Sequence, residues 1–272
     1  MALQYFYITN DAAVASICEK AGVDRIFIDM EYIGKDRRQA GLNSVKNHHT
    51  VEDVRNIRAC VKKSKILVRV NPVHAASAQE IDAVVDAGAD YIMLPMWKTA
   101  EDVKTFLSLV GGRAKTMLLL ETEEARQCLD EVLHLPGIDE MYIGLNDLHL
   151  SQHKKFMFEL FTDGTVDEIV SKVKKAGIPF GIGGVGRVNC PNLLPAENVL
   201  CEHYRLGSSM VILSRTFCDW TQHSTADFEK IITRGIAENR AYEHQIAKQS
   251  SAFFAVMHRE TAQKIAGIRN NR

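Results

Sequence analysis

The sequence reads MLLLETE at residues 117–123 and MYIGLNDL at residues 141–148, two apolar runs that each end on an acidic residue. A helix-forming segment follows each run, so we expect both runs to be parallel strands of one sheet. Glu121 and Asp147 would then emerge together at the carboxyl edge of that sheet, where (β/α)8 barrels carry their active sites. Two carboxylates with no Cys or His directly beside them favour Mg²⁺ or Mn²⁺ over zinc.

The same alternation of strand-like and helix-like segments extends along most of the chain. The eight predicted strands are Tyr5–Thr9, Arg25–Met30, Ile66–Val70, Tyr91–Pro95, Thr116–Glu121, Glu140–Ile143, Pro179–Ile182 and Ser209–Leu213. Segments with apolar residues at three-to-four spacing lie between strands, as helices that cover a sheet require. These predicted helices include Asp11–Ala21, Val51–Lys62, Ala78–Ala87, Ala100–Val110 and Glu123–Leu133. The pattern predicts an α/β fold, a single (β/α)8 TIM-type barrel domain over residues 1–272.

Residues 223–272 are predicted to be extra C-terminal helices, because no strand follows the eighth one. Asp227–Lys248 and Ser251–Ile268 both have helical apolar spacing. Their apolar side chains must be buried against another surface, and the sequence leaves two possibilities. The helices could pack on a second subunit and form a homo-oligomer, or they could cover the bottom of their own barrel.

The amino-acid composition limits the kinds of molecule that this chain is expected to bind. The chain has 33 basic and 34 acidic residues, and no basic block is interleaved with aromatic residues. This balance favours a small-molecule substrate and predicts no nucleic-acid partner. No cysteine pair has metal-ligand or Cys-x-x-Cys spacing, no signal-peptide pattern opens the chain, and no apolar run reaches membrane-spanning length. We therefore expect a cytoplasmic protein with reduced thiols and no membrane association.

Three polar residues at predicted strand ends are candidates for chemistry. Glu121 and Asp147 could bind a metal, although an acidic residue after a strand can also cap the next helix. Arg69 lies in the apolar run ILVRVNP at residues 66–72. A guanidinium at a strand end suits capture of a carboxylate or stabilisation of an oxyanion. An ion pair inside the barrel is the alternative for this arginine.

The glycine-rich run FGIGGVGR at residues 180–187 ends the seventh predicted strand. Barrels often bind phosphate at this position through backbone amides. The glycines could equally serve a tight turn and close packing, and the full nucleotide-binding pattern is absent.

Five segments, taken together, resemble the HpcH/HpaI aldolase and citrate lyase β-subunit family. In chain order they are FIDME (27–31), VRV (68–70), DAGADYIMLP (86–95), ETEEA (121–125) and IGLNDL (143–148). The resemblance implies a barrel of the phosphoenolpyruvate/pyruvate-binding kind. It also implies a metal-dependent carbon–carbon lyase, a class II-type aldolase that acts on a 2-oxo acid, expected to be sugar-derived, through a pyruvate-like enolate.

The same resemblance implies roles for individual residues. Glu121 and Asp147 would hold a divalent cation, Mg²⁺, Mn²⁺ or Co²⁺, that chelates the substrate. Arg69 would lie over the enolate oxygen as the catalytic and substrate-binding arginine. The backbone that would meet the substrate carboxylate comprises Gly144, Leu145 and Asn146. Such a cation, acting as a Lewis acid, removes the need for a Schiff-base lysine.

The chain departs from the family pattern at the expected general base. Many family aldolases carry a histidine directly after the Asp-x-Glu motif, paired with an aspartate resembling Asp86 from a neighbouring subunit. This chain has Tyr32 at that position, and tyrosine is a poor base at neutral pH. His48 or His49 could replace the histidine. The further site candidates are Asp29, Tyr32, His48, His49 and Asp86.

Two other departures concern the substrate pocket. Leu119-Leu120-Glu121 stands where family aldolases usually have Gln-Ile-Glu, and the connection from Pro95 to Thr116 is short. Two alternatives to the aldolase therefore stay open. One is a lyase or synthase of another enolate, from an acyl-CoA or phosphoenolpyruvate, and the other is a non-catalytic barrel that binds a metabolite.

Overall fold

The computed structural model describes residues 2–34 and 49–270, in which eight parallel strands close into a barrel. The strands are β1 (Gln4–Ile8), β2 (Arg25–Asp29), β3 (Lys65–Arg69), β4 (Tyr91–Leu94), β5 (Lys115–Leu120), β6 (Glu140–Ile143), β7 (Phe180–Val185) and β8 (Met210–Leu213). Each strand pairs in parallel with the next, and β8 pairs with β1. The predicted (β/α)8 barrel is confirmed.

Helices surround the barrel in the predicted order. They are α1 (Ala12–Ala21), α2 (Val51–Cys60), α3 (Ser77–Asp86), α4 (Ala100–Val110), α5 (Glu123–Gln127), α6 (Leu129–Val132), α7 (Leu145–Ser151), α8 (Thr165–Lys175), α9 (Ala196–Leu206), α10 (Thr225–Ile246) and α11 (Ser251–Asn270). Two 3-10 turns cover Met157–Phe161 and Trp220–Gln222. The predicted helix 123–133 is wrong in one respect, because the chain leaves helical geometry at Cys128 and forms two short helices there.

The barrel interior is filled by side chains from alternate strand positions. The inward-facing apolar cluster consists of Phe6, Phe27, Leu67, Met93, Met117, Leu119, Tyr142 and Met210. Residues next to these in sequence face outward and pack against the helices, because successive side chains of a strand point to opposite faces. The interior is therefore a packed core, and ligands have access only at its ends.

A buried ion pair lies in the interior toward the amino ends of the strands. Arg25 at the start of β2 makes two hydrogen bonds with Glu140 at the start of β6, at 2.5 and 2.7 Å. The Arg25 guanidinium also lies 3.8 Å from the centre of the Tyr91 ring. The pair joins opposite sides of the barrel and fills its amino-terminal end.

Glycines in β7 make room for neighbouring side chains. A Cβ on Gly181 would lie 2.4 Å from the Tyr142 ring and 2.5 Å from Met210, and a Cβ on Gly183 would lie 2.7 Å from Leu145. The Tyr142 hydroxyl accepts a hydrogen bond from the Ile212 amide at 2.8 Å. This geometry favours the close-packing explanation of the glycine-rich run over a phosphate site.

Both C-terminal helices contact their own chain. In α10, Glu243 accepts the Leu3 amide at 2.8 Å and the Tyr204 hydroxyl at 3.1 Å. In α11, Thr261 accepts a hydrogen bond from Asn198 of α9 at 2.9 Å. The two C-terminal helices predicted after the eighth strand are therefore present. Participation of either helix in a homo-oligomer stays a prediction.

Among the helices in the described part of the chain, none is long and apolar enough to cross a membrane. All six cysteines are free thiols.

Candidate active site

At the carboxyl edge of the barrel, the ends of two adjacent strands carry an ion pair. Asp29 is the last residue of β2 and Arg69 the last of β3, and the two are partners in the strand register. Arg69 donates from Nε and Nη2 to the two Asp29 carboxylate oxygens at 2.8 and 2.9 Å. Glu31 adds a second carboxylate, 3.4 Å from Arg69 Nε. The ion pair that the sequence left as an alternative therefore exists.

The Arg69 guanidinium stays charged in this surrounding. Burial by itself would lower its pKa, but the negative charges of Asp29 and Glu31 outweigh burial and raise the pKa above its usual value. With two carboxylates on one side, the guanidinium is held in one orientation. Such a fixed cation can stabilise negative charge without reorganising during a reaction.

Glu121 follows β5 directly and is 3% exposed. Its Oε1 accepts a hydrogen bond from the backbone amide of Met96 at 3.2 Å. Met96 has φ of 52°, in the left-handed region that non-glycine residues seldom adopt. Strained backbone of this kind often occurs at functional sites, and here it aims an amide at the carboxylate.

Glu121 and Asp147 influence each other electrostatically, as the sequence pattern predicts for two residues at one edge. Burial, and then the negative charge of Asp147, raise the pKa of Glu121 well above its usual range, while Arg69 opposes the shift. A Cβ on Gly144 would lie 2.9 Å from Glu121 Cβ and 3.0 Å from Oε2. The absence of a side chain at Gly144 therefore leaves space for the Glu121 carboxylate.

Asp147 is the third residue of α7 and is partly buried. Helix α7 begins after Gly144 without a side-chain cap, so Asp147 does not serve as its N-cap. In the same turn, Leu145 is buried and Asn146 is exposed. The segment predicted to meet the substrate carboxylate thus lies between the two candidate metal ligands in sequence and beside Glu121 in space.

The remaining candidates are spread more widely. Tyr32 lies just after the Asp29–Glu31 turn with its side chain 62% exposed, and its amide donates to Asn71 Oδ1 at 3.0 Å. Asp86 is the exposed last residue of α3, so it lies near the amino end of β4 and away from the other candidates in this chain. Its predicted pairing with a neighbouring subunit stays a prediction.

His49 contacts the end of β2, whereas His48 lies outside the described residues. The Asp29 amide donates to His49 Nδ1 at 3.0 Å. A ring nitrogen that accepts a hydrogen bond carries no proton, so the neutral ring holds its proton on Nε2. Use of His49 as the replacement base stays a prediction.

The donor set fits a hard divalent cation. Arg69 pairs with Asp29 and Glu31, Glu121 also acts on its charge, and Asp147 acts on the charge of Glu121. Within residues 2–34 and 49–270, no group of three or more His, Cys, Asp or Glu side chains is arranged to hold a metal. Mg²⁺ commonly binds through one or two carboxylates and completes its shell with water and substrate oxygens. Glu121 and Asp147 would supply those two carboxylates.

Sequence reasoning missed three residues that shape the site. Glu31 is identified from the sequence only as part of the FIDME segment, although an acidic residue directly after a predicted strand is a signal for a site residue. Asn71 follows β3 as a polar residue before Pro72, which was a weaker signal. Met96 contributes through its backbone alone, and no side-chain pattern could have identified it.

Solved structures share this fold at low sequence identity. The HpcH/HpaI aldolase from Desulfitobacterium hafniense is 14% identical with a TM-score of 0.60, over 86% of this chain and 92% of that chain. An HpcH/HpaI aldolase/citrate lyase family protein from Burkholderia cenocepacia is 17% identical with a TM-score of 0.61, over 83% and 92%. Citrate synthase SbnG is 16% identical with a TM-score of 0.61, over 86% and 95%.

A sequence comparison with curated proteins found no significant match to this chain. The family model described as HpcH/HpaI aldolase/citrate lyase matches residues 3–183, which include β1 to β6, most of β7 and every candidate site residue. On that match, the chain belongs to the HpcH/HpaI aldolase/citrate lyase family.

Proposed function

We propose that this chain is a divalent-metal-dependent carbon–carbon lyase that acts on a 2-oxo acid, expected to be sugar-derived, through a pyruvate-like enolate. The observation that supports this most is the convergence of a fixed arginine and two interacting carboxylates at one barrel edge. Arg69 is held by Asp29 at 2.8 Å, while Asp147 and Arg69 both act on the charge of buried Glu121. Membership of a lyase family supports the same reaction class.

Each residue has a role in this proposal. Glu121 and Asp147 would hold the cation, which supplies a Lewis acid that withdraws charge from a forming enolate. Arg69 presents its positive charge to the enolate oxygen, and its orientation is set by Asp29 and Glu31. The turn from Gly144 to Asn146 would receive the substrate carboxylate on backbone amides at the start of α7.

A second candidate function is a synthase that joins an enolate to another acid. Two observations favour it: one of the structurally similar proteins is a citrate synthase, and Tyr32 replaces the histidine expected in an aldolase. Bond formation between an enolate and a keto group uses the same cation and arginine, so the two functions share the enolate half of the mechanism.

The first experiment is exchange of pyruvate methyl protons with D2O, followed by NMR, with Mg²⁺, Mn²⁺ or Co²⁺ and with EDTA. We expect metal-dependent exchange in the wild type. Glu121→Ala and Asp147→Ala should each lower the rate by about 100-fold or more, because each removes a charged ligand.

Glu124→Ala is the matched control, since Glu124 follows Glu121 by three residues and pairs with Lys98 on the surface. It should retain the wild-type rate. Full activity in both the Glu121 and Asp147 variants would refute the proposal. Metal binding without pyruvate exchange would favour another enolate donor, and failure to bind any divalent cation would favour a non-catalytic barrel.

A further inference from the structure

Asn71 connects the end of β3 to the turn that carries Glu31. It lies two residues after Arg69 and is 2% exposed. Its side-chain Oδ1 accepts hydrogen bonds from two consecutive amides, Tyr32 at 3.0 Å and Ile33 at 2.9 Å. One buried oxygen therefore fixes the backbone directly after Glu31.

Glu80, in the first turn of α3, fixes the other side of the Asn71 amide. Asn71 Nδ2 donates to Glu80 Oε1 at 2.7 Å, and the Asn71 backbone amide lies 3.3 Å from each Glu80 carboxylate oxygen. Because the Tyr32 and Ile33 backbone amides can only donate, Oδ1 must face the turn and Nδ2 must face Glu80. The orientation of the amide is determined by its partners.

The turn needs this support because the strand ladder ends before it. The last ladder bond from β2 is the Met30 amide to the Arg69 carbonyl at 2.9 Å. Beyond Met30, the Glu31 amide donates to Asp29 Oδ1 at 3.3 Å, and Asn71 receives the next two amides. These contacts determine where the Glu31 carboxylate lies relative to Arg69.

We propose that Asn71 and Glu80 form a clamp that positions Glu31 and Asp29 on Arg69, and through them the guanidinium that faces the enolate. The inference rests on the proposed function and extends it to two residues that touch no reacting atom. Asn71 and Glu80 are positioning residues. A small displacement of Arg69 would lower the rate of enolisation with little effect on overall folding, because orientation contributes strongly to catalysis.

The test exchanges the hydrogen-bond donor and acceptor between Asn71 and Glu80. Asn71→Asp places a carboxylate against Glu80 at the 2.7 Å contact and should open the clamp. In the double variant Asn71→Asp with Glu80→Gln, the new glutamine amide donates to the new aspartate, whose other oxygen still accepts the Tyr32 and Ile33 amides. The double variant has the same net charge as the wild type and restores the contact between the two side chains with donor and acceptor exchanged, while the 3.5 Å contact of Asn71 Nδ2 with the Met30 carbonyl is lost.

Three measurements distinguish positioning from general stability. For metal-dependent pyruvate exchange, Asn71→Asp should lower kcat by about 10-fold or more with KM changed by less than about 2-fold, and the double variant should recover most of the loss. Amide hydrogen exchange of Tyr32 and Ile33 should be faster in Asn71→Asp and slow again in the double variant. Thermal unfolding reports general stability.

Asn198→Asp is the matched control, because Asn198 is about as buried as Asn71 but bonds to Thr261 and Lys264 of α11. It should leave kcat and the Tyr32 amide unchanged. A wild-type kcat in Asn71→Asp, or a double variant no better than it, would overturn the clamp. If the wild type catalyses no exchange, the proposed function fails, and the Tyr32 and Ile33 amides alone decide whether Asn71 holds the turn.

Discussion

At the scale of single residues, Gly144 shows how close packing restricts the residue type at the candidate site. Gly144 has φ of −84°, which any residue can adopt, so backbone conformation does not require glycine there. Space does, because a Cβ would lie 3.1 Å from Leu119 Cδ1 as well as against Glu121. The absence of a side chain at Gly144 thus determines where the Glu121 carboxylate can lie.

His203 is a second residue whose surroundings determine its chemistry. It lies in α9 with no exposed surface, and neither ring nitrogen has a hydrogen-bond partner among residues 2–34 and 49–270. Burial lowers the pKa of His203 from 6.5 to about 3. The folded protein therefore keeps this imidazole neutral at pH values where an unfolded chain would protonate it.

This shift predicts a loss of stability in acid. The unfolded state binds a proton below pH 6.5 and the folded state does not until about pH 3, so stability falls as pH falls through that window. His203→Phe should remove about 2 kcal/mol of the stability difference between pH 7 and pH 5. Urea unfolding of both proteins at the two pH values measures this. An equal pH dependence of the free energy of unfolding in wild type and variant would contradict the lowered pKa of His203.

At the scale of elements, α10 shows how a helix adapts to the barrel. It spans 22 residues with Gly235 near its middle, where glycine weakens a helix by about 1 kcal/mol relative to alanine. A Cβ there would lie 2.7 Å from Arg187 Cδ and 3.0 Å from Phe217 Cζ. Close packing therefore outweighs helix propensity at this position.

Two glycine-to-alanine variants separate packing from propensity. Gly235→Ala should destabilise the protein by about 1 to 3 kcal/mol, because Arg187 and Phe217 must move. Gly267→Ala in α11 has no atom within 4 Å of its new Cβ and should stabilise by up to about 1 kcal/mol. Denaturant unfolding gives both values, and changes of the same sign in the two variants would show that propensity alone governs α10.

The predicted elements were recovered because local patterns define them. The apolar run at 117–120 and the helical spacing at 100–110 both reflect periodicity, which is local in sequence. The split at Cys128 was missed, since no glycine or proline marks it.

At the scale of the whole molecule, Arg25 and Glu140 connect opposite sides of the barrel. Their side chains are only 2% and 11% exposed, and the Arg25 guanidinium lies over the Tyr91 ring. Removing one partner leaves the other charge buried without compensation, whereas replacing both by apolar side chains is often tolerated.

Glu140→Leu should therefore destabilise the protein by about 3 to 5 kcal/mol, with a large drop in the urea midpoint. The double variant Arg25→Met with Glu140→Leu should recover most of that loss. The exposed pair Arg55 and Glu52 provides the control, since Glu52→Leu removes a surface contact worth less than about 1 kcal/mol. A double variant as unstable as the single one would show that the ion pair itself supplies the stability.

The sequence by itself determined the barrel, its eight strands and the positions of Glu121 and Arg69 at strand ends, whereas Asp147 lies in the first turn of the helix after β6. It could do so because strand and helix periodicity, and the residue at which a strand ends, depend on short segments of the chain. Only the tertiary structure decided that Asp29 and Glu31 hold Arg69, that Asn71 accepts the Tyr32 and Ile33 amides, that the Met96 amide donates to Glu121, and that His49 contacts β2. Those contacts depend on strand register and barrel closure, which bring together residues distant in sequence.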